Sequence, residues 1–492
     1  MNTPLRRVGL AMLAMVALLI ANATYIQVVK ADGYRADPRN QRVLLDEYSR
    51  ERGKLVSQFN GEVLANVKPT DSRLQYLRQY VNGPAYAPVT GYYSVRYGAG
   101  GLERAEDEVL NGSDPRLLVR RLSDVITGRD PRGGNVQLTI NPRVQQTAYD
   151  EMTSRGYKGS VVALKPDTGE ILGMVSTPSY DPNKLAQHDS AGQEEAWTQY
   201  NNDPNQPMLN RAINQTYPPG STFKLITAAA AMEQGIADER LTAASQIDLP
   251  SGGGTTLENY GGSHCGSGGD SVDLTTALAL SCNTAFAELA GKVGREGMLE
   301  QAAKFGIGGE ELNVPMRVSG STLGDIADEA SLYQTGIGQR DVRLTPLQDA
   351  MVAAGIANGG TVMTPQLVKE VQAPDLTTIQ DFSPETYDTA MSGANASALT
   401  DMMIDSEENT SGEGQRSDLT IASKTGTAEH GNDPKNTPPH AWYVAFAPAD
   451  DPQVAVAVIV ESGGDFGLVA TGGKVAAGIG RATIDAALPG GS

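Results

Sequence analysis

Three short runs of this chain hold residue types that can carry out acyl transfer. Ser221-Thr-Phe-Lys224 reads S-x-x-K, Ser281-Cys282-Asn283 reads S-x-N, and Lys424-Thr425-Gly426-Thr427 opens with K-T-G. A serine hydroxyl is a weak nucleophile until a neighbouring base takes its proton. Residues i and i+3 of a helix share a face, so the Lys224 amine can reach the Ser221 oxygen. An amine is a base only when neutral, and burial or nearby positive charge drives its proton off. Lys424 can supply that positive field if the fold brings it close. Each run alone is commonplace: a solvated helix face, a polar helix end, a strand entering a turn. All three in this order point to one serine acyl-transfer site.

The elements that must hold these residues are also legible. Pro218-Pro219-Gly220 breaks the chain, and Lys224 to Met232 is Ala-rich and helix-forming. Ser221 is therefore expected at a helix N-terminus, where free N–H groups and the dipole favour an oxyanion. Helices are expected over Pro142 to Gly156, Leu274 to Val293, Met298 to Phe305 and Gly473 to Ala487. Val161 to Leu164 and Ile171 to Val175 flank Lys165-Pro-Asp-Thr-Gly169 as a hairpin, and Trp442 to Phe446 pairs likewise with Val454 to Val460. Leu419 to Ser423 leads a strand into Lys424. Asp401 to Gln415 reads as a polar loop. Antiparallel strands from both ends with helices from the middle give an α+β fold with a central antiparallel sheet.

With 492 residues the chain exceeds one ordinary domain. Its 58 acidic and 39 basic side chains leave a formal charge of −19, which argues against nucleic acid and against adhesion to anionic lipid. Val8 to Val29 carries no charge and is long enough to cross a bilayer, which takes roughly 20 residues. Arg6 and Arg7 before it predict a cytoplasmic N-terminus. The rival is a cleaved signal peptide with Leu10 to Ile20 as its core and Ala21-Asn22-Ala23 as its site. Either way the bulk lies outside the cytoplasmic membrane. There the two cysteines, Cys265 and Cys282, can bridge, or stay as two free thiols. A bridge would be worth about 3 kcal/mol by loop entropy. Neither the cysteines nor the four histidines have metal-ligand spacing, and no metal or cofactor is expected.

These motifs, with Asn210-Arg-Ala212 leading into Tyr217-Pro-Pro-Gly-Ser-Thr-Phe-Lys224, resemble the class B penicillin-binding proteins. Gly336-Ile-Gly-Gln339, Leu344-Thr-Pro-Leu-Gln348 and Gly159 to Glu170 extend the likeness, which is nearest to the actinobacterial penicillin-binding protein A type. The resemblance implies a D,D-transpeptidase that cross-links peptidoglycan stem peptides from lipid-linked precursor and is acylated by β-lactams. It implies Ser221 as nucleophile, Lys224 as base, Ser281 as proton relay and Asn283 as the residue orienting Lys224. Lys424 sets the electrostatics, while Thr425, Gly426 and Thr427 bind substrate. Backbone N–H groups of Ser221 and Thr427 would form the oxyanion hole.

The implied order is a tail over 1–7, an anchor over 8–29, a membrane-proximal region over 30–137 and a transpeptidase domain over 138–492. Pro38 to Arg42 and Tyr48 to Gly53 resemble the family's membrane-proximal stretch, and Gly128 to Gly134 resembles a linker. Partners would come from the division or elongation machinery. Three rivals remain: a D,D-carboxypeptidase passing the acyl group to water, a serine β-lactamase, and a division scaffold with secondary catalysis.

Overall fold

The computed structural model describes residues 2–30, 48–117, 132–250 and 254–489. The Pro38 to Arg42 stretch and most of the Gly128 to Gly134 linker lie outside them. The architecture is α+β. The first helix, Asn2–Thr24, continues as one π-turn, Tyr25–Val29. Arg6–Gln27 is long and apolar enough to cross a membrane, with mean hydropathy 2.0 and none of it buried.

The central sheet has five antiparallel strands in the order Ala422–Ala428, His440–Ala447, Val454–Val460, Gly159–Leu164, Ile171–Thr177. Every residue of the last four is buried, which is why they read as continuous apolar runs rather than alternating ones. Helices Pro142–Ser154 and Ala477–Ala487 cover one face, and Pro346–Ala357 lies on the other. The Ala422–Ala428 strand is the sheet's edge, so one side of its backbone is open to the site.

A second sheet has six strands in the order Thr378–Asp381, Val368–Gln372, Asn135–Leu138, Leu55–Ser57, Val63–Pro69, Tyr76–Tyr80. Leu55–Ser57 runs parallel to Asn135–Leu138, which pairs antiparallel with Val368–Gln372 on its other side. The strand Asn135–Leu138 thus straddles the expected boundary at 137/138, and a hairpin from far down the chain completes the membrane-proximal sheet. Beside that sheet Glu103 is fully buried between Arg52 and Arg78, at 2.7 and 2.5 Å. Burial alone would raise its carboxyl, but the two guanidiniums reverse the effect and hold it below its ordinary value.

Two expectations are corrected. The helix expected over Leu274 to Val293 is broken: Leu274–Ala279 stops, Ser281 takes φ +57°, and Asn283–Lys304 starts anew. That second helix runs through the gap expected before Met298, bent at Gly294. The polar loop expected over Asp401 to Gln415 is helical as far as Glu408, within Gly393–Glu408. Ser392 caps it, and Leu399, Met403 and Ser406 are buried along one face. Its Glu407 accepts from Arg481 Nε at 2.8 Å, Tyr443 OH at 3.1 Å and Ser423 Oγ, fastening it beside Lys424.

Candidate active site

The turn that carries Ser221 is held by backbone on two sides. Tyr217 and Leu344 exchange N–H···O bonds, both 2.9 Å, and Gly220 N–H donates to Gly338 O at 2.9 Å. Gly220 has φ +57°, and a Cβ there would lie 2.8 Å from Thr427 O; a Cβ on Gly338 would lie 2.1 Å from Gly220 O. Only glycine permits these approaches. Ser221 lies in the short 3₁₀ turn Gly220–Phe223, which passes directly into the helix Lys224–Glu233.

Lys224 is fully buried, with Nζ 2.7 Å from Ser281 O, 2.8 Å from Asn283 Oδ1 and 3.2 Å from Ser281 Oγ. No hydrogen bond joins it to Ser221 Oγ in this state, so the expected direct contact is replaced by contacts to the S-x-N motif. All three neighbours are oxygens: Nζ donates to the Ser281 and Asn283 carbonyls and lies within reach of the Ser281 hydroxyl. Burial, then the positive charge of Lys424, pushes Lys224 well below the ordinary amine range. Burial likewise brings Lys424 down to about 7. Its Nζ donates to Thr425 O at 3.0 Å, and no carboxylate pairs with either lysine.

The break at Ser281 is what presents both its carbonyl and its hydroxyl to Lys224. A non-glycine residue in the left-handed region costs about 1–3 kcal/mol and persists only where its surroundings insist. Here they do. Cys282 is bonded to Cys265, with Cα atoms 5.7 Å apart. Asn283 Nδ2 donates to Glu258 O at 3.0 Å, and Thr284 N donates to Asn259 Oδ1 at 3.0 Å. The segment of residues 258–265 is therefore tied to S-x-N covalently and by hydrogen bonds.

Strand alternation sorts the third motif. Thr425 and Thr427 line a cleft of about 570 Å³ together with Ser221, Ser281 and Asn283. Lys424 and Gly426 point the other way. Gly426 does not line the cleft; a Cβ there would lie 2.7 Å from Pro219 O, so it lets the strand edge close on the nucleophile turn. Among the described residues no three His, Cys, Asp or Glu gather to hold a metal.

Residues 159–485 match the penicillin binding protein transpeptidase domain. The chain belongs to the penicillin-binding protein family. Residues 52–136 match the penicillin binding protein A dimerisation domain. The peptidoglycan D,D-transpeptidase PbpA of Mycolicibacterium smegmatis is 57% identical over the full length of both chains. The protein of that name from Mycobacterium tuberculosis is 53% identical, again over the full length of both. The structure of M. tuberculosis penicillin-binding protein A as a ceftriaxone acyl-enzyme superposes with TM-score 0.87 at 52% identity, covering 90% of this chain and all of that one.

The Gly336-Ile-Gly-Gln339 run supplies Ile337 and Gln339 to this penicillin-binding protein's cleft wall, but sequence reasoning missed several other residues of it. Tyr260, Leu280 and Leu468 stand 68%, 46% and 56% exposed around it, and Glu429 and Lys435 add charge. Glu429 could have been found by counting two past Thr427, just beyond the end of the strand Ala422–Ala428. Leu280 directly precedes the S-x-N motif, while Tyr260, Lys435 and Leu468 come from segments with no local motif.

Proposed function

We propose that this protein is a peptidoglycan D,D-transpeptidase working through a Ser221 acyl-enzyme. The observation that carries this is the buried Lys224 amine, held at 2.7–3.2 Å by Ser281 and Asn283, its proton affinity lowered by burial and by Lys424. The family's transpeptidase domain and the full-length likeness to PbpA support the same reaction.

Ser221 Oγ attacks the carbonyl between the two terminal D-alanines, and its proton passes to Lys224. The oxyanion rests on the N–H groups of Ser221 and Thr427. The C–N bond breaks as Ser281 hands a proton to the leaving D-alanine amine and takes one from Lys224. An amine of a second stem peptide then attacks the ester, loses its proton along the same path, and frees Ser221. Thr425 and Thr427 hold the terminal carboxylate within the field of Lys424. β-Lactams present the same carbonyl and ring-open on Ser221. The likeness to a relative captured as a ceftriaxone acyl-enzyme supports that inhibition.

The segment 8–29 serves as a single-pass anchor with a cytoplasmic N-terminus, and residues 30–137 form the membrane-proximal unit through which division or elongation proteins dock. The test is intact-mass spectrometry of the full-length chain in detergent after benzylpenicillin, beside Ser221→Ala. A lasting adduct on the wild type alone is expected; none on either sinks the acyl-enzyme reading. Rapid turnover would instead mark a hydrolase, and a donor–acceptor peptide assay separates cross-linking from carboxypeptidase release.

A further inference from the structure

Four carboxylic side chains are buried among the described residues: Glu103, Asp114, Glu170 and Asp349. The first three each have a cation, at Arg52 and Arg78, at Arg116 and at Lys369. Asp349 has none. It is 1% exposed in the first turn of the helix Pro346–Ala357, and its hydrogen-bond partner is the hydroxyl of Thr222, the residue after Ser221.

Thr222 Oγ1 lies 2.9 Å from Asp349 Oδ2 and 3.2 Å from Pro219 O. A hydroxyl has one proton to give. If Asp349 is ionised, both neighbours are pure acceptors and one contact goes without a proton. If Asp349 carries a proton, it donates to Thr222 and Thr222 donates to Pro219, and both contacts are made. The helix dipole favours the anion by about 0.3–1 kcal/mol, while burying an unpaired carboxylate costs several times that. Burial accordingly brings the Asp349 carboxyl up to about 7, opposed only by the Thr222 hydroxyl. No charged side chain of the sheet, of the Lys224 helix or of Gly393–Glu408 acts on it, Lys224 and Lys424 included.

Thr222 also touches the third motif. A Cβ on Gly426 would meet Thr222 Cγ2 at 3.1 Å and Pro219 O at 2.7 Å. The residues that Asp349 holds are thus the ones the Lys424 strand closes against. We propose that Asp349, as a neutral carboxylic acid, is a positioning residue that pins the Ser221 turn against the Lys424 strand through Thr222. This rests on the reading of Ser221 as nucleophile. Ionisation turns the Thr222 hydroxyl round, releases Pro219 O and loosens the register of Ser221.

The experiment measures the second-order rate of acylation by benzylpenicillin from pH 5 to 9. It uses the full-length chain in detergent as wild type, Asp349→Asn and Thr222→Val, with the adduct mapped by peptide mass. Asparagine keeps an N–H donor at every pH. The ratio of Asp349→Asn to wild type is expected flat below pH 6 and to rise about threefold by pH 8.5, the lysine titrations cancelling. Thr222→Val starts below wild type at pH 6 and converges with it as pH rises, and it carries the test if Asp349→Asn does not fold. An adduct on Ser221 with ratios independent of pH overturns the role of Asp349 alone. An adduct elsewhere takes down the Ser221 reading and this one together.

Discussion

The molecule buries charge in two opposite ways. Beside the membrane-proximal sheet, Glu103 sits between Arg52 and Arg78, with Asp107 on Arg52 at 2.7 Å, and the Glu103 carboxyl stays below its ordinary value because two guanidiniums answer it. At the candidate site Lys224 and Lys424 are buried just as deeply with no carboxylate between them, and the hold of both on their protons is weakened. An ion pair in a core resists change, since removing either member strands the other. An unpaired pair of amines is the reverse: proton affinity lowered into the range where a base and its conjugate acid interconvert. Like burial, opposite provision, and so structure in one place and chemistry in the other.

The largest break in this contrast is Lys224→Met, which keeps the stem and removes the base. Acylation by benzylpenicillin is expected to fall by about 10³-fold, with no loss of melting temperature. Glu103→Gln should do the converse. It costs about 3 kcal/mol or more by leaving the buried Arg78 without its carboxylate, while Arg52 keeps Asp107, seen in denaturant melts, and acylation per folded molecule stays within about twofold.

Next comes pH. Folded Lys424 gives up its proton near 7 and the unfolded chain holds it to about 10.4, so the unfolded state binds more protons in between. Stability should therefore rise from pH 7 to 9.5 at roughly 1 kcal/mol per unit, and Lys424→Met should flatten part of that slope. Glu103 runs the other way on the acid side. Its carboxyl is depressed, so its contribution is present above the unfolded value near 4.3 and is lost as pH falls through the folded one. Thermal melts from pH 3 to 10 check both signs. Smallest is the exposed pair Lys292–Glu239, at 2.7 Å with side chains 33% and 48% exposed. Glu239→Gln should change stability by under about 0.5 kcal/mol, and a larger loss would blur the distinction between paired and merely adjacent charge.

The site was legible where chemistry demands particular residue types. Ser221, Lys224, Ser281, Asn283, Thr425 and Thr427 meet around one cleft because their motifs required it. What the sequence hid were features imposed from a distance. Leu-Ala-Leu-Ser-Cys-Asn-Thr-Ala-Phe reads as unbroken helix, and the break at Ser281 is enforced by Lys224, 57 residues from Ser281, and by Cys265, 17 residues from Cys282. Asp401 to Glu408 looked like loop because its charges were visible and its buried face, begun at Ala396, was not. Asp349 gave no signal, since its partner lies 127 residues away.

The six-stranded sheet has a consequence for how the chain comes into being. Its central strand Asn135–Leu138 needs Leu55–Ser57 on one side and Val368–Gln372 on the other. As the chain emerges from its N-terminus, one edge of that sheet stays without its mate until some 230 further residues have been made, about two thirds of the catalytic part. Until then it is an open edge, able to pair with any passing strand. A truncation at residue 137 would preserve that vulnerable interval indefinitely, so the membrane-proximal part is better obtained with the hairpin of residues 368–381 supplied than cut off alone.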